Sequence, residues 1–265
     1  TSDYITIALN ALKTESDISI VAATYLQFET AIWAYANPAK RDALRTQVAD
    51  ATAAMLASAA PGSDHQMQFA RAFANNAITP AHLEKLKEIL NGSEKGLVID
   101  AEIRWYIFIS GVKRGVFGPA EIEAESAKDN TAHGKQYTAY AYAAIPTKEA
   151  KAAAFTSVTT DNLSNTIHSY MCRGFNENIH HELLAGFVDQ YFDAILKVWE
   201  TKGFEIAETT ATLLFPSWVI SDETVKKAQH WLDVTGKDAS NALRRSVTEG
   251  RDAMSRALKA RMADK

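Results

Sequence analysis

The residues of this 265-residue chain that most resemble a reaction centre lie close together at Glu177, His180, His181 and Glu182. A zinc-peptidase helix needs His-Glu-x-x-His, because histidines four positions apart place both imidazoles on one helix face. His181-Glu182 is followed at the required position by Ala185, so the second ligand is missing. The pair Glu177 and His180 matches one half of a di-iron carboxylate site, and no second Glu-x-x-His occurs. We therefore predict solvated polar residues at a helix start, with no metal ligand and no catalytic residue.

Other residue patterns that carry chemistry are missing from the sequence. There is no Gly-rich phosphate loop, no Gly-x-Ser-x-Gly elbow and no aspartate-rich diphosphate motif. Cys172 follows Tyr170 and Met171, an apolar context in which a cysteine behaves as a small buried hydrophobe more often than as a nucleophile. Because it is the only cysteine, it cannot form an intramolecular disulfide, and the sequence favours a reducing, cytoplasmic location.

Arginine side chains are the remaining candidates for binding a ligand. Arg104 lies in the first turn of a predicted helix, where the macrodipole disfavours a cation, so it needs an anionic partner. That partner is either Asp100, one turn earlier, or the carboxylate of a ligand. Each arginine of a wider set is either an anion contact or an exposed or ion-paired structural residue: Arg104, Arg173, Arg244, Arg245 and Arg251.

The composition limits the classes of partner. The formal net charge of −4 argues against a nucleic-acid-binding protein with a broad basic face. No apolar run approaches the roughly 20 residues that span a bilayer, so we expect no membrane partner. The chain begins without an initiator Met or a signal segment, and we expect it to be part of a longer polypeptide.

Nearly every segment shows the apolar spacing of a helix, and none shows sustained strand alternation. The stretch from Asp100 to Val116 is apolar on most sides, which predicts a helix covered on most sides. We expect about fourteen helices in all. They include one long helix from about Ile179 to Trp199 and one capped by Asp161.

The fold class predicted from these helices is all-α. Links of a few residues make sequential helices antiparallel neighbours, and pairs recur roughly every 30 to 40 residues. We expect an irregular HEAT- or armadillo-like stack of antiparallel helix pairs, an α-α superhelix that is curved or bowl-shaped. No linker rich in Gly, Pro or Ser divides it, so a single helical-repeat domain over residues 1–265 is predicted.

Several segments, taken in order, resemble the C-terminal domain of the aminopeptidase N family of zinc metallopeptidases in its actinobacterial form. The resemblance rests on six stretches: PGSDHQMQFARAFA (61–74), IDAEIRWYIFI (99–109), KAAAF (151–155), RGFNENIHHELLAGFVDQYF (173–192), LKVWE (196–200) and ALRRSVTEGRDAMSRALKAR (242–261). In that family the zinc-binding and exopeptidase motifs belong to an upstream catalytic domain, and none of them is present here.

The resemblance implies a helical bowl without catalytic or metal-binding residues of its own. The bowl would cover the active site of the complete enzyme, whose zinc is held by the catalytic domain, and restrict its substrates to peptides. The catalytic domain of the same polypeptide and peptide substrates are the implied partners. Basic residues facing the cavity would hold the far end of the peptide or its carboxylate, and Arg104, Arg173 and Arg245 are the residues we name for that role. The alternative is a free-standing helical-repeat scaffold that binds proteins along a concave face.

Overall fold

The computed structural model describes residues 1–264, and within them it contains fifteen α-helices and no strand, which confirms the all-α fold class. Two 3₁₀ turns (Pro38–Lys40, Asn178–His180) and a π-helical turn (Ala31–Tyr35) accompany them. The α-helices are α1 Ser2–Leu12, α2 Ile18–Thr30, α3 Arg41–Ser58, α4 Asp64–Asn76, α5 Pro80–Leu90, α6 Ala101–Val112, α7 Pro119–Ser126, α8 Ala132–Ala143, α9 Lys148–Thr160, α10 Asn165–Phe175, α11 His181–Leu184, α12 Phe187–Thr201, α13 Phe204–Leu213, α14 Asp222–Asp233 and α15 Asn241–Ala263. In the described part of the chain, no helix is long and apolar enough to cross a membrane.

Most helix starts are set by a side chain that accepts a hydrogen bond from a first-turn amide, as the sequence predicts. Asp100 accepts from the amide of Ile103, and Thr79 caps α5 with Pro80 at its first position. Asp161, predicted to cap a helix, does not. The cap of α10 is Ser164, and Asp161 instead closes the C-terminal end of α9.

The prediction of one long helix from Ile179 to Trp199 is wrong, because the structure divides this segment among three separate helical elements. A 3₁₀ turn precedes the single turn of α11, and α12 begins only after Gly186. Glycine is a poor residue for a helix interior, since the unfolded chain has the most backbone freedom there. The apolar spacing continues across the break, so periodicity alone does not detect it.

The chain clusters into two compact units. Unit 1 comprises residues 1–116 with 260–264, and unit 2 comprises residues 117–259. The single domain over residues 1–265 and the HEAT-like arrangement stay predictions.

Unit 1 is built from α1 to α6, with α3 packed against α4 and α4 against α6. As predicted for α6, the side chains of Ile103, Trp105 and Ile107 are fully buried, while Tyr106 on the same helix is partly exposed. The helix itself ends at Val112, earlier than the predicted Val116. The segment that follows turns through Gly115, whose positive φ suits a residue without a side chain.

Unit 2 contains a continuous apolar core made by α8 to α14 and the first part of α15. Four aromatic rings form its centre, with Phe175 between Phe155, Phe187 and Trp218 at centroid distances of 5.6, 5.2 and 5.6 Å. Helices α8 and α10 pack closely, and a Cβ added at Gly174 would lie 2.3 Å from the carbonyl oxygen of Tyr140. Only glycine fits this contact, because it has no Cβ. The close approach fixes the positions of the side chains on α8 relative to those on α10.

Candidate functional site

The structure does not bring Glu177, His180, His181 and Glu182 together as a metal site. Glu177 lies just beyond α10 and accepts a hydrogen bond from the hydroxyl of Tyr140, while His180 is buried at the 3₁₀ turn. Among residues 1–264, no group of three or more His, Cys, Asp or Glu side chains is placed to hold a metal ion. Glu177 therefore serves to tie the segment after α10 to α8.

Cys172 and His168 form a pair on α10 that the sequence analysis missed. The i,i+4 spacing was the available signal. The sulfur lies 3.8 and 3.7 Å from the two ring nitrogens, while His168 Nε2 is 3.1 Å from the carbonyl oxygen of Val158. Burial raises the pKa of the Cys172 thiol to about 12 and lowers the pKa of His168. A nucleophilic cysteine needs an accessible thiolate, and Cys172 is a buried thiol. We therefore assign the pair to the apolar core of unit 2 and not to a reactive site.

Lys151 is a buried charged residue that the sequence analysis named only as part of the stretch KAAAF. Its side chain is fully buried, and its ammonium donates to the carbonyl oxygens of Ala143, Gly174 and Phe175 at 2.7, 2.9 and 3.1 Å. These carbonyls end α8 and α10, so one cation satisfies acceptors at two helix C-termini, where a positive charge is favoured. Lys151 therefore holds the two helices together from inside.

Along the contact between α8 and α10, tyrosine rings and an exposed arginine form the arrangement best suited to contact a ligand. We call it the aromatic–arginine surface and define it by Tyr137, Tyr140, Tyr170, Arg173 and Glu177. The rings of Tyr137 and Tyr170 meet edge to face at 5.5 Å, and Arg173 follows Tyr170 by three positions on α10. Arg173 is exposed, and its guanidinium has no hydrogen-bond or ion-pair partner among residues 1–264. A solvent-facing guanidinium next to a tyrosine pair can bind a carboxylate while the rings contact apolar groups.

The other two arginines predicted to contact a peptide, Arg104 and Arg245, already have partners within the chain. Arg104 lies half-buried on α6 in unit 1, where its Nη1 is 3.4 Å from the carbonyl oxygen of Leu90. Arg245 lies on the part of α15 that belongs to unit 2 and forms an exposed ion pair with Glu249, one turn on, at 2.7 Å. The hydrogen bond and charge of Glu249 raise the pKa of Arg245. Of the three arginines, Arg173 is therefore the best placed to meet a ligand.

Residues 1–264 thus form an all-α structure in which an exposed arginine follows a paired tyrosine on α10. The chain belongs to the ERAP1-like C-terminal domain family, whose model matches residues 1–256. It is 40% identical over 267 residues to Aminopeptidase N of Streptomyces lividans, across its whole length. The chain spans only 31% of the length of that relative, in its C-terminal portion. It is thus the C-terminal domain of an aminopeptidase N-like protein.

Proposed function

We propose that this chain is the helical part of a zinc aminopeptidase that covers the active-site cavity and helps to position and restrict peptide substrates. The observation that carries the proposal is the 40% identity to the C-terminal portion of an Aminopeptidase N, which extends over the whole chain. The zinc and the catalytic residues would lie in the preceding part of the same polypeptide. A cytoplasmic location belongs to the same proposal and is supported by the single, free and buried cysteine.

In this function the aromatic–arginine surface contacts the end of the peptide that is distant from the scissile bond. Arg173 would donate two parallel hydrogen bonds to the terminal carboxylate of the peptide, a geometry that the planar guanidinium matches. Tyr137 and Tyr170 would contact apolar side chains of the peptide, because their rings are rigid and only partly exposed. Arg104 and Arg245 would contribute less, since both already have partners.

The contact is tested in the complete polypeptide with pairs of peptides that differ only in a free or an amidated C-terminus. We expect Arg173→Gln to raise KM for the free-acid peptide about tenfold, the value of one charge-assisted pair, with little change for the amide. Arg256→Gln, at an exposed arginine on α15, is the matched control and should leave both KM values unchanged. If Arg173→Gln keeps the full preference for the free acid, Arg173 is not the contact.

The covering role is tested separately with the 265-residue chain alone. The purified chain should not hydrolyse aminoacyl substrates and should retain no stoichiometric zinc, since no zinc-peptidase motif occurs in its sequence. The complete polypeptide should cleave short peptides and leave folded proteins intact. Chelator-sensitive turnover by the purified chain would contradict the proposal.

A further inference from the structure

The outer face of the first helical hairpin, α1 with α2, is unusual because it is exposed and almost without charge. The two helices are paired, with the hydroxyl of Tyr4 donating to Gln27 Oε1 at 2.5 Å and its ring 6.0 Å from that of Phe28. α1 contains one charged residue, Asp3, and α2 contains one, Glu29. Exposed helices of soluble proteins normally carry charged residues on the outer face.

Three exposed positions of this hairpin are occupied by large aliphatic side chains. Leu26 is 73% exposed, Ile7 69% and Ile20 50%. Helical spacing aligns the exposed apolar side chains into one stripe on each helix, with Tyr4, Ile7 and Ala11 on α1 and Ile20, Ala23 and Leu26 on α2. The two stripes make up the apolar patch of the hairpin. We call this patch the hairpin face. A contiguous apolar patch of this kind marks a surface that a partner covers.

We infer that the hairpin face is the docking surface for the preceding part of the same polypeptide, the upstream segment. This inference rests on the proposed function in taking such a segment to exist. The relative matches this chain over only 31% of its length, in its C-terminal portion, so more than two thirds of that protein lies outside the matched region. A permanently attached partner would cover a surface that lacks charge, since obligate interfaces are more apolar than transient ones.

Covalent attachment makes a modest apolar face sufficient. A docking affinity of about 100 μM under an effective concentration of about 1 mM leaves the face open roughly a tenth of the time. A second copy of the chain would have no such advantage at low concentration. Coverage by the upstream segment should therefore not change when the protein is diluted, whereas coverage by a second copy should be lost.

Carbene footprinting of side chains in the complete polypeptide tests the inference. We expect Ile7, Ile20 and Leu26 to be labelled about tenfold less than the exposure of each side chain in this structure predicts, and equally so after a 100-fold dilution, in line with about 1 mM effective concentration. Protection that disappears on dilution would assign the face to a second copy and overturn the inference. Full labelling at every concentration would overturn it as well.

A charged variant checks the same face independently. Ile7→Glu with Leu26→Glu should restore full labelling of Ile20 and speed proteolysis between the upstream segment and α1 about tenfold, because two desolvated charges oppose docking. Val98→Glu, at a 70% exposed position of unit 1 outside the hairpin, is the matched control and should change neither. A protected face in a polypeptide without peptide hydrolysis would overturn the proposed function alone. Normal hydrolysis with an unprotected face would overturn this inference alone.

Discussion

In unit 2 one buried lysine donates to the carbonyl groups at two helix ends, whereas in unit 1 two arginines donate to the backbone of a single turn. Lys151 has no exposed surface and donates to three carbonyl oxygens with one ammonium. In unit 1, Arg41 and Arg261 both donate to the carbonyl oxygen of Trp33, at 3.0 and 2.8 Å. Arg261 also donates to Ala34 at 2.9 Å.

The arginine cluster of unit 1 also uses an aromatic ring. The guanidinium carbons of Arg41 and Arg45 lie 5.5 and 5.2 Å from the centre of the Trp33 ring. Desolvation, with the charge of Arg41 nearby, lowers the pKa of Arg261 to about 10. Planar guanidinium groups tolerate this crowding because they are weakly hydrated and stack on aromatic faces.

The two units differ in how many donors their buried carbonyl groups have. A lysine is a compact charge with three donors. Without Lys151 the carbonyl oxygens of Ala143 and Gly174 lose this donor, and only that of Phe175 keeps another, the amide of Glu177 at 2.9 Å. In unit 1 the carbonyl oxygen of Trp33 keeps a second donor when either arginine is lost. Unit 2 should therefore be the more sensitive of the two to loss of one buried cation.

The largest effect is expected from Lys151→Met, which keeps the length of the side chain and removes the ammonium. Three buried carbonyl groups lose a charged donor, so the free energy of unfolding should fall by roughly 4 kcal/mol. Urea unfolding followed by circular dichroism measures it. Lys148→Met, at an exposed lysine on the same helix, is the control and should cost less than about 0.5 kcal/mol. A loss below about 1 kcal/mol at Lys151 would contradict this account of unit 2.

The next effect concerns the close contact of α8 with α10. A Cβ at residue 174 meets the carbonyl oxygen of Tyr140 and the Cβ of Ala143, so Gly174→Ala should force the helices apart. The expected cost is about 2–3 kcal/mol, measured as a lower thermal midpoint. Gly186→Ala has nothing within 4 Å of the added Cβ and should be nearly neutral. Equal effects of the two substitutions would show that α8 and α10 tolerate separation.

Arg41→Met tests the redundancy of unit 1. Arg261 still donates to Trp33 when Arg41 is gone, and the buried Nε of Arg41 has no partner in the described residues. We expect a loss of about 1–2 kcal/mol in the free energy of unfolding, at most half of the loss at Lys151. Lys13→Met provides the control at an exposed position of unit 1. A loss as large as that of Lys151→Met would remove the distinction between the units.

The smallest effect is a pH dependence from the dry core of unit 2. The pKa of the Cys172 thiol is about 12 in the folded state, because burial raises it, and has the ordinary value of 9.0 in the unfolded chain. The unfolded state therefore loses the proton first, and stability falls as the pH rises above 9. From about pH 8 to about pH 9.5 the difference between wild type and Cys172→Ala should change by roughly 0.8 kcal/mol. A constant difference would show that the thiol is hydrated in the folded state.

Much of the fold was predictable because helix formation leaves local signals. Asp100 and Thr79 cap the helices that they were expected to cap, and Pro80 occupies the first position of α5. The errors occurred where the local signals were ambiguous. Asp161 and Ser164 are both acceptable cap residues three positions apart. Because α9 extends to Thr160, Asp161 ends that helix and Ser164 caps α10.

The candidate site was only partly predictable. Arg173 was named from the sequence, and the structure leaves it exposed beside Tyr170. Lys151 and the His168–Cys172 pair were missed, because their roles depend on residues distant in the chain. The acceptors of Lys151 lie up to 24 positions away, at the ends of two different helices.

The sequence by itself determined the all-α class, most helix boundaries and membership of the aminopeptidase-related family, since caps, prolines and apolar spacing act over a few residues. Only the tertiary structure decided which cations are buried and which arginine stays available. Desolvation depends on the atoms that packing brings around a charge, and sequence spacing does not specify those atoms. The hairpin face has the same origin. Ile7 and Leu26 are exposed because of how the helices pack, which the apolar spacing of the sequence does not specify.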